Sequence, residues 1–174
     1  MNAAYRYYLK KYAAQAIKES DASVPVYDIS KNIRKLGGKI AIQTGFDDVT
    51  EGAVRKKGKG FEIRVHPSLK RNQKEFNFAV ARELGHLYAH MGFHTKDSLW
   101  EKQEDGVFKT FTAEDDIAAN YFAGAFLMPR DNFVVTMNRL SRGGQLSVAE
   151  LAEHFNVTEA AVRNRARLLG YSGF

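Results

Sequence analysis

Four residues between positions 82 and 90 combine acid, base and cation chemistry at helical spacing: Arg82, Glu83, His86 and His90. At roughly 100° per residue they occupy one arc of a helix. The related pattern H-E-x-x-H grips a zinc ion between two histidines, and its glutamate activates the metal-bound water. Here an arginine stands where the first histidine would be. Because a guanidinium has no lone pair to offer, Arg82 cannot coordinate zinc.

The positive charge of Arg82 also opposes a metal ion. At about 4 Å and an effective dielectric constant of about 20, the repulsion is roughly 8 kcal/mol. Structural zinc sites contribute roughly 10–16 kcal/mol in total. A ligand pair shifted to His86 and His90 keeps the spacing but moves about 6 Å along the helix. We therefore expect His90 to support the site or pack beside it, with replacement of the lost ligand as the alternative.

The surrounding sequence indicates which elements position this arc. Helical periodicity and capping residues predict helices over 3–19, 30–36, 75–91, 112–127, 130–140, 147–155 and 158–169. Strands are predicted over 39–44, 50–56 and 60–66. The fold class is therefore α+β: mostly helical, with a small three-stranded, antiparallel-rich sheet packed on the helix that carries Arg82. A helix-turn-helix-like tail ends the chain.

Two stretches carry a family resemblance, FNFAVARELGHLYAH at 76–90 and DIAANYFAGAFLMP at 116–129. Together they resemble the ImmA/IrrE metallopeptidases, whose members read F-x-x-A-H-E-x-G-H-x-x-x-H and then an acidic residue before A-N-x-F-A-x-x-L-M-P. The tail, which ends in Leu169-Gly170, is similar as well. The resemblance covers most of the chain and is weakest over the first helix.

The resemblance implies a gluzincin-like core that binds Zn²⁺ through two histidines and a carboxylate. Glu83 would then be the general base if the protein is active, His86 the second histidine ligand, and Asp116 the carboxylate ligand. Two neighbours, Glu114 and Asp115, compete with Asp116, and all three carboxylates also suit the N-terminus of a helix. Zn²⁺ binding is expected to be weak or absent because of Arg82.

We interpret Arg82 as a replacement for the metal as well as for the histidine. Its guanidinium is expected to lie between Glu83 and Asp116, holding together two carboxylates that would otherwise repel each other. The fold would then persist without zinc. This interpretation favours a non-catalytic member of the family.

By resemblance, the partner is a helix-turn-helix repressor of the Xre type, in a mobile-element, stress-response or toxin-antitoxin setting. A non-catalytic chain would bind or sequester such a repressor instead of cutting it. Two alternatives stay open: an active zinc endopeptidase with altered ligands that cleaves the repressor, and a DNA-binding regulator.

Composition and the tail bear on these alternatives. The chain has no cysteine, which excludes thiolate metal sites, and its net charge of +6 favours acidic or nucleic-acid partners without defining a site. On the last helix, Arg163, Arg165 and Arg167 are candidate DNA contacts, but their spacing spreads them around the helix. Packing of the tail is favoured over DNA contact. We predict a peptidase-like domain over 1–142 and a packed C-terminal extension over 143–174.

The sequence contains no apolar run that approaches the roughly 18 residues needed to span a bilayer. A soluble, cytoplasmic protein is therefore expected.

Overall fold

The structure is a computed structural model that describes residues 1–43, 51–95, 98–141 and 147–172. Within these ranges the chain forms a mostly helical α+β fold with a three-stranded sheet, which confirms the predicted fold class. No helix in the described ranges is both long and apolar enough to cross a membrane. The elements in chain order are α1 Ala3–Ser20, α2 Ile29–Lys35, β1 Gly38–Ile42, β2 Gly52–Lys57, β3 Gly60–Val65, a 3-10 helix Pro67–Arg71, α3 Gln73–Ala89, α4 Ala113–Leu127, α5 Arg130–Leu140, α6 Val148–Phe155 and α7 Glu159–Leu168.

The sheet is mixed, with strand order β1-β3-β2. Strands β2 and β3 form the predicted antiparallel hairpin, whose turn contains Gly58 at a φ of 59°. In contrast, β1 pairs with β3 in parallel register. The prediction of an antiparallel-rich sheet is corrected accordingly. The physical reason is that β3 carries the longest buried run, Phe61 to Ile63, and takes the central position where both faces and both edges are covered. The predicted strand ends at Thr44 and Thr50 lie outside the described residues.

Helix α1 begins after Asn2, whose side chain accepts a hydrogen bond from a backbone N–H in the first turn. Its buried residues include Leu9, Ala13 and Ala16. Tyr8 lies outside this contact and is 52% exposed. Small residues and one leucine form the actual contact, because α1 packs closely against α4.

Helix α3 lies at the centre of the fold, between the sheet and α4. Asn72 caps its first turn by accepting hydrogen bonds from two backbone N–H groups. A glycine permits the close approach of α4: a Cβ atom at Gly85 would lie 2.9 Å from the Ala119 carbonyl oxygen and 3.0 Å from its Cα. This contact brings the first turn of α4 against the polar arc of α3.

The C-terminal helices share the main hydrophobic core. Residues Leu151, Phe155, Val162 and Ala166 are buried in the same cluster as the centre of the molecule. The ring of Phe155 stacks on Phe133 of α5 at a centroid distance of 5.8 Å. The predicted boundary between residues 142 and 143 lies outside the described residues.

Candidate functional site

Arg82 and Glu83 lie side by side on α3 and form an ion pair. The Nη2 and Nε atoms of Arg82 are 3.3 and 3.4 Å from Glu83 Oε1. A second carboxylate, Glu51, lies 3.9 Å from Arg82 Nη1. The expected bridge from Arg82 to Asp116 is wrong, because Asp116 contacts a histidine instead. The side chain of Arg82 follows its own helix and pairs with the nearest carboxylate.

Glu83 is almost completely buried, with 2% of its surface exposed. Burial raises the pKa of Glu83 to about 7, although the charge and hydrogen bonds of Arg82 act in the opposite direction. The nearby charge of Asp116 adds to the increase. Glu83, which corresponds to the general base of H-E-x-x-H, is therefore hydrogen-bonded to a guanidinium. Its pKa lies near neutral pH.

The three acidic residues at the start of α4 have different surroundings. Asp115 accepts hydrogen bonds from the backbone N–H and the hydroxyl of Thr112, forming a capping box. Glu114 is exposed. Asp116 lies one position further and its Oδ1 is 3.1 Å from Nε2 of His86. Of the three, Asp116 is thus the carboxylate that the fold brings to His86.

His86 is buried, with 1% of its surface exposed, and its ring stacks on Phe111 at a centroid distance of 3.9 Å. Burial, together with the charges of His90 and Arg82, lowers the pKa of His86 to about 4, although Asp116 acts in the opposite direction. The imidazole is therefore neutral at physiological pH. A neutral imidazole has one N–H donor and one acceptor, so its two contacts must differ in direction.

A chain of hydrogen bonds continues from His86 to α1. His86 Nδ1 is 3.1 Å from His90 Nδ1, and His90 Nε2 is 3.1 Å from the hydroxyl of Tyr5. One consistent assignment of protons satisfies these three hydrogen bonds: Tyr5 donates to His90, His90 donates to His86, and His86 donates to Asp116. His90 thus lies between His86 and Tyr5, and its Nε2, an acceptor in this assignment, also lies 3.4 Å from Asp115 Oδ1.

The residues present do not fit the zinc site that the resemblance implies. A catalytic zinc site of this type needs three protein ligands, and here the first position is a guanidinium without a lone pair. His86 and Asp116 supply two donors, and Glu83 pairs with Arg82. Across the part of the chain that the structure describes, no three histidine, aspartate or glutamate side chains are grouped so that they could hold a metal ion.

A cleft of about 440 Å³ opens beside these residues. It is lined by Glu83, His86 and Asp116, and by residues that sequence reasoning missed. The missed residues are Gly52 and Ala53 of β2, Arg64 of β3, and the segment from Phe108 to Phe111. The aromatic residues at 108 and 111 were a weak signal, because they interrupt a stretch that otherwise has no regular pattern.

The arginines of the tail do not form a common surface. Arg163 and Arg167 are exposed on α7, whereas Arg165 is buried with 3% of its surface exposed. Arg165 Nε donates a hydrogen bond to the carbonyl of Met128 at 2.9 Å. Burial lowers the pKa of Arg165 to about 10. This position corrects the choice of Arg165 as a candidate DNA contact, since its buried side chain has no access to a phosphate.

Comparisons with solved structures show a related fold. A "Mycobacterium tuberculosis transcriptional regulator" superposes with a TM-score of 0.58 at 21% sequence identity, over 91% of this chain. The chain spans only 46% of the length of that regulator. No curated protein matches the sequence.

A comparison with protein families gives a match across most of the sequence. The matching model, described as the IrrE N-terminal-like domain of a peptidase family, covers residues 39–167. The match includes the sheet, α3 with Arg82, Glu83 and His86, and α4 with Asp116. The chain therefore belongs to the family of IrrE N-terminal-like domains.

Proposed function

We propose that this protein is a non-catalytic member of its family that regulates a helix-turn-helix repressor of the Xre type by binding it. The observation that carries the proposal is the Arg82–Glu83 pair, at 3.3 Å, on the helix that would hold the metal. A peptidase of the H-E-x-x-H type needs a histidine at the first position and a glutamate free to activate water. Here the first position is the cation Arg82, and its guanidinium forms hydrogen bonds with Glu83 at the second position.

The buried carboxylate and imidazole on α3 have hydrogen-bond partners without a metal ion. In the proton assignment given above, His86 donates to Asp116 and accepts from His90, and Glu83 accepts hydrogen bonds from Arg82. Buried polar groups normally have such partners, and a metal would have to displace them. The proposal therefore assigns the site a structural role beside a cleft that binds protein.

The repressor as partner class follows from the family resemblance. The solved relative named as a transcriptional regulator supports a regulatory setting for this chain as well. Direct DNA binding is less favoured, because Arg165 is buried and the tail helices contribute to the main core. A mobile-element, stress-response or toxin-antitoxin setting is part of the same proposal.

Metal analysis and a repressor assay test the proposal together. Protein purified with excess zinc is dialysed, and its zinc content is measured by mass spectrometry beside an Arg82→His variant. We expect substoichiometric zinc in the natural protein and a higher content in the variant, which regains a ligand. An Xre-type repressor encoded beside the gene should be bound and remain intact.

Two results would contradict this proposal. Stoichiometric zinc that is lost in a His86→Ala variant would indicate an active site with altered ligands. Metal-dependent cleavage of the repressor by the natural protein would lead to the same conclusion.

A further inference from the structure

The cleft beside α3 contains more positive than negative groups. Arg64, Arg82 and Lys109 line it together with the carboxylates of Glu83 and Asp116. Both carboxylates already have partners, Arg82 and His86. Within the described ranges, Lys109 forms no ion pair. The cleft is therefore suited to an anionic group.

Gly52 adds a backbone donor to this surface. The carbonyls of Val54 and Lys56 face the outer edge of β2, because they accept hydrogen bonds from Lys109 and Gly106. The carbonyl of Glu51 faces β3, where it accepts from His66. Backbone groups alternate between the two edges of an antiparallel strand. Gly52, which lines the cleft, consequently directs its N–H and its carbonyl to the outer edge.

Further along β2, the segment from Gly106 to Lys109 occupies the same outer edge. Gly106 and Lys109 donate backbone hydrogen bonds to Lys56 and Val54 at 2.9 and 3.2 Å. The ring of Phe108 holds this segment in place between two guanidinium groups, with Arg55 and Arg64 at 4.4 and 4.0 Å from its centroid. The outer edge of β2 is thus occupied from Val54 onward, whereas among the described residues no backbone group pairs on this edge with Gly52, which is buried at the wall of the cleft.

We propose that this cleft binds the C-terminal carboxylate of a partner polypeptide, held by Lys109, by the free side of the Arg82 guanidinium and by the N–H of Gly52. The inference rests on the proposed partner-binding function and names the part of the partner that is recognised. Arg82 has five N–H donors, and those of Nε and Nη2 face Glu83. Among the described residues, the carboxylate that pairs with its Nη1 group is that of Glu51, at 3.9 Å.

Because the segment from Gly106 to Lys109 already occupies the outer edge of β2, the cleft favours the end of a bound polypeptide over an internal segment. A peptide that passed through the cleft along β2 would meet the segment from Gly106 to Lys109, whereas a chain end can stop at Gly52. The positive charge of the cleft lining then favours the C-terminus, since an N-terminal ammonium group would be repelled by Lys109 and Arg82. Backbone N–H groups with nearby cations are a common way to capture a terminal carboxylate.

Short peptides test this inference with the full-length protein. The probe is acetyl-trialanine with a free carboxylate, titrated while the NMR shifts of the Gly52 and Lys109 amides are followed. Its C-terminal carboxamide is the matched control ligand. We expect the carboxylate to bind at least about tenfold more tightly, the factor expected for one charge-assisted hydrogen bond. A Lys109→Gln variant should lose about the same factor, while Lys59→Gln at the exposed hairpin tip should not.

Four outcomes would overturn the inference. Equal binding of the carboxamide, or no binding of either peptide, would remove the terminal carboxylate as the recognised group. Equal binding of acetyl-Ala-Glu-Ala-carboxamide would show an acidic side-chain site. Equal affinity for inorganic phosphate would show a general anion site.

The results of these experiments distinguish failure of the carboxylate site from failure of the proposed function. If the repressor still binds and an Arg82→Gln variant weakens that binding, the partner-binding role stands and only the choice of its C-terminus is wrong. If the tripeptide binds and the repressor does not, the carboxylate site stands and the partner class is wrong.

Discussion

The Arg82 guanidinium lies 3.3 Å from the carboxylate of Glu83, its neighbour in sequence, on the helix that forms one wall of the cleft. Glu83 is almost fully buried, and the Arg82 side chain is 21% exposed. A buried carboxylate that loses its only nearby cation is costly, but one with a pKa of about 7 can also become neutral. The Arg82–Glu83 pair is therefore expected to stabilise the fold. It stands where the H-E-x-x-H motif has a zinc ligand and a general base.

Replacing Arg82 by alanine should destabilise the protein by about 2 kcal/mol at neutral pH, because Glu83 would be left without its hydrogen-bond donor. The free energy of unfolding from urea titration measures this change. The double variant with Glu83→Gln is the control and should recover part of the loss. An Arg82→Ala variant as stable as the natural protein would show that the pair has no structural role.

Gly85 determines how closely α3 and α4 approach. A Cβ atom at this position would lie 2.9 Å from the backbone oxygen of Ala119, and backbone cannot move aside as a flexible side chain can. We expect Gly85→Ala to cost about 1–3 kcal/mol. Gly124→Ala is the matched control within a helix, since its Cβ would meet Arg165 at an ordinary 3.7 Å. This control should be neutral or slightly stabilising, and equal losses for both variants would contradict the close contact.

The hydroxyl of Tyr5 ends the hydrogen-bond chain that begins at Asp116. Tyr5→Phe removes the donor to His90 Nε2 and should destabilise the protein by about 1 kcal/mol. Nitrogen-15 NMR of the imidazoles should show that His90 changes its protonation pattern. Tyr7→Phe, on an exposed side chain, is the control and should change neither quantity. An unchanged His90 spectrum in Tyr5→Phe would contradict the proton assignment.

Local patterns in the sequence were sufficient to predict most helices, and also which residues of one helix lie on the same face. Arg82, Glu83 and His86 share an arc because helical geometry depends only on spacing. The choice of Asp116 over Asp115 relied on family spacing, and the structure supplies the reason, since Asp115 is used in the capping box with Thr112.

Other features depend on contacts between distant parts of the chain. The central position of β3 follows from its burial on both sides, which no strand pattern alone reports. Phe108 and Lys109 reach the edge of β2 from a stretch that was predicted to be irregular. The direction of the Arg82 side chain was predicted only in part, because it pairs with Glu83 but does not reach Asp116, which contacts His86 from the next helix.

Acid should weaken the sheet through Glu62. Burial raises the pKa of Glu62, but hydrogen bonds and charges from Lys57 and Arg55 outweigh burial and hold the pKa below its usual value. This interaction stabilises the fold fully above the unfolded pKa of about 4.3 and is lost as pH falls through the lower folded pKa. The stability difference between the natural protein and Glu62→Gln, about 1–2 kcal/mol at pH 7, should therefore shrink on acidification. A difference that stays constant with pH would contradict this role.

Arg165 should be a packing residue of the tail rather than a contact to nucleic acid. It is buried, donates a hydrogen bond to the Met128 carbonyl, and has an Nη1 atom without a hydrogen-bond partner among the described residues. Arg165→Ala removes the donor and leaves a cavity, so we expect a loss of about 2–4 kcal/mol in urea unfolding. Arg167→Ala, on the exposed side of α7, should stay within about 0.5 kcal/mol of the natural protein. If Arg165→Ala were equally stable and instead reduced the salt dependence of DNA binding, the buried position of this arginine in solution would be refuted.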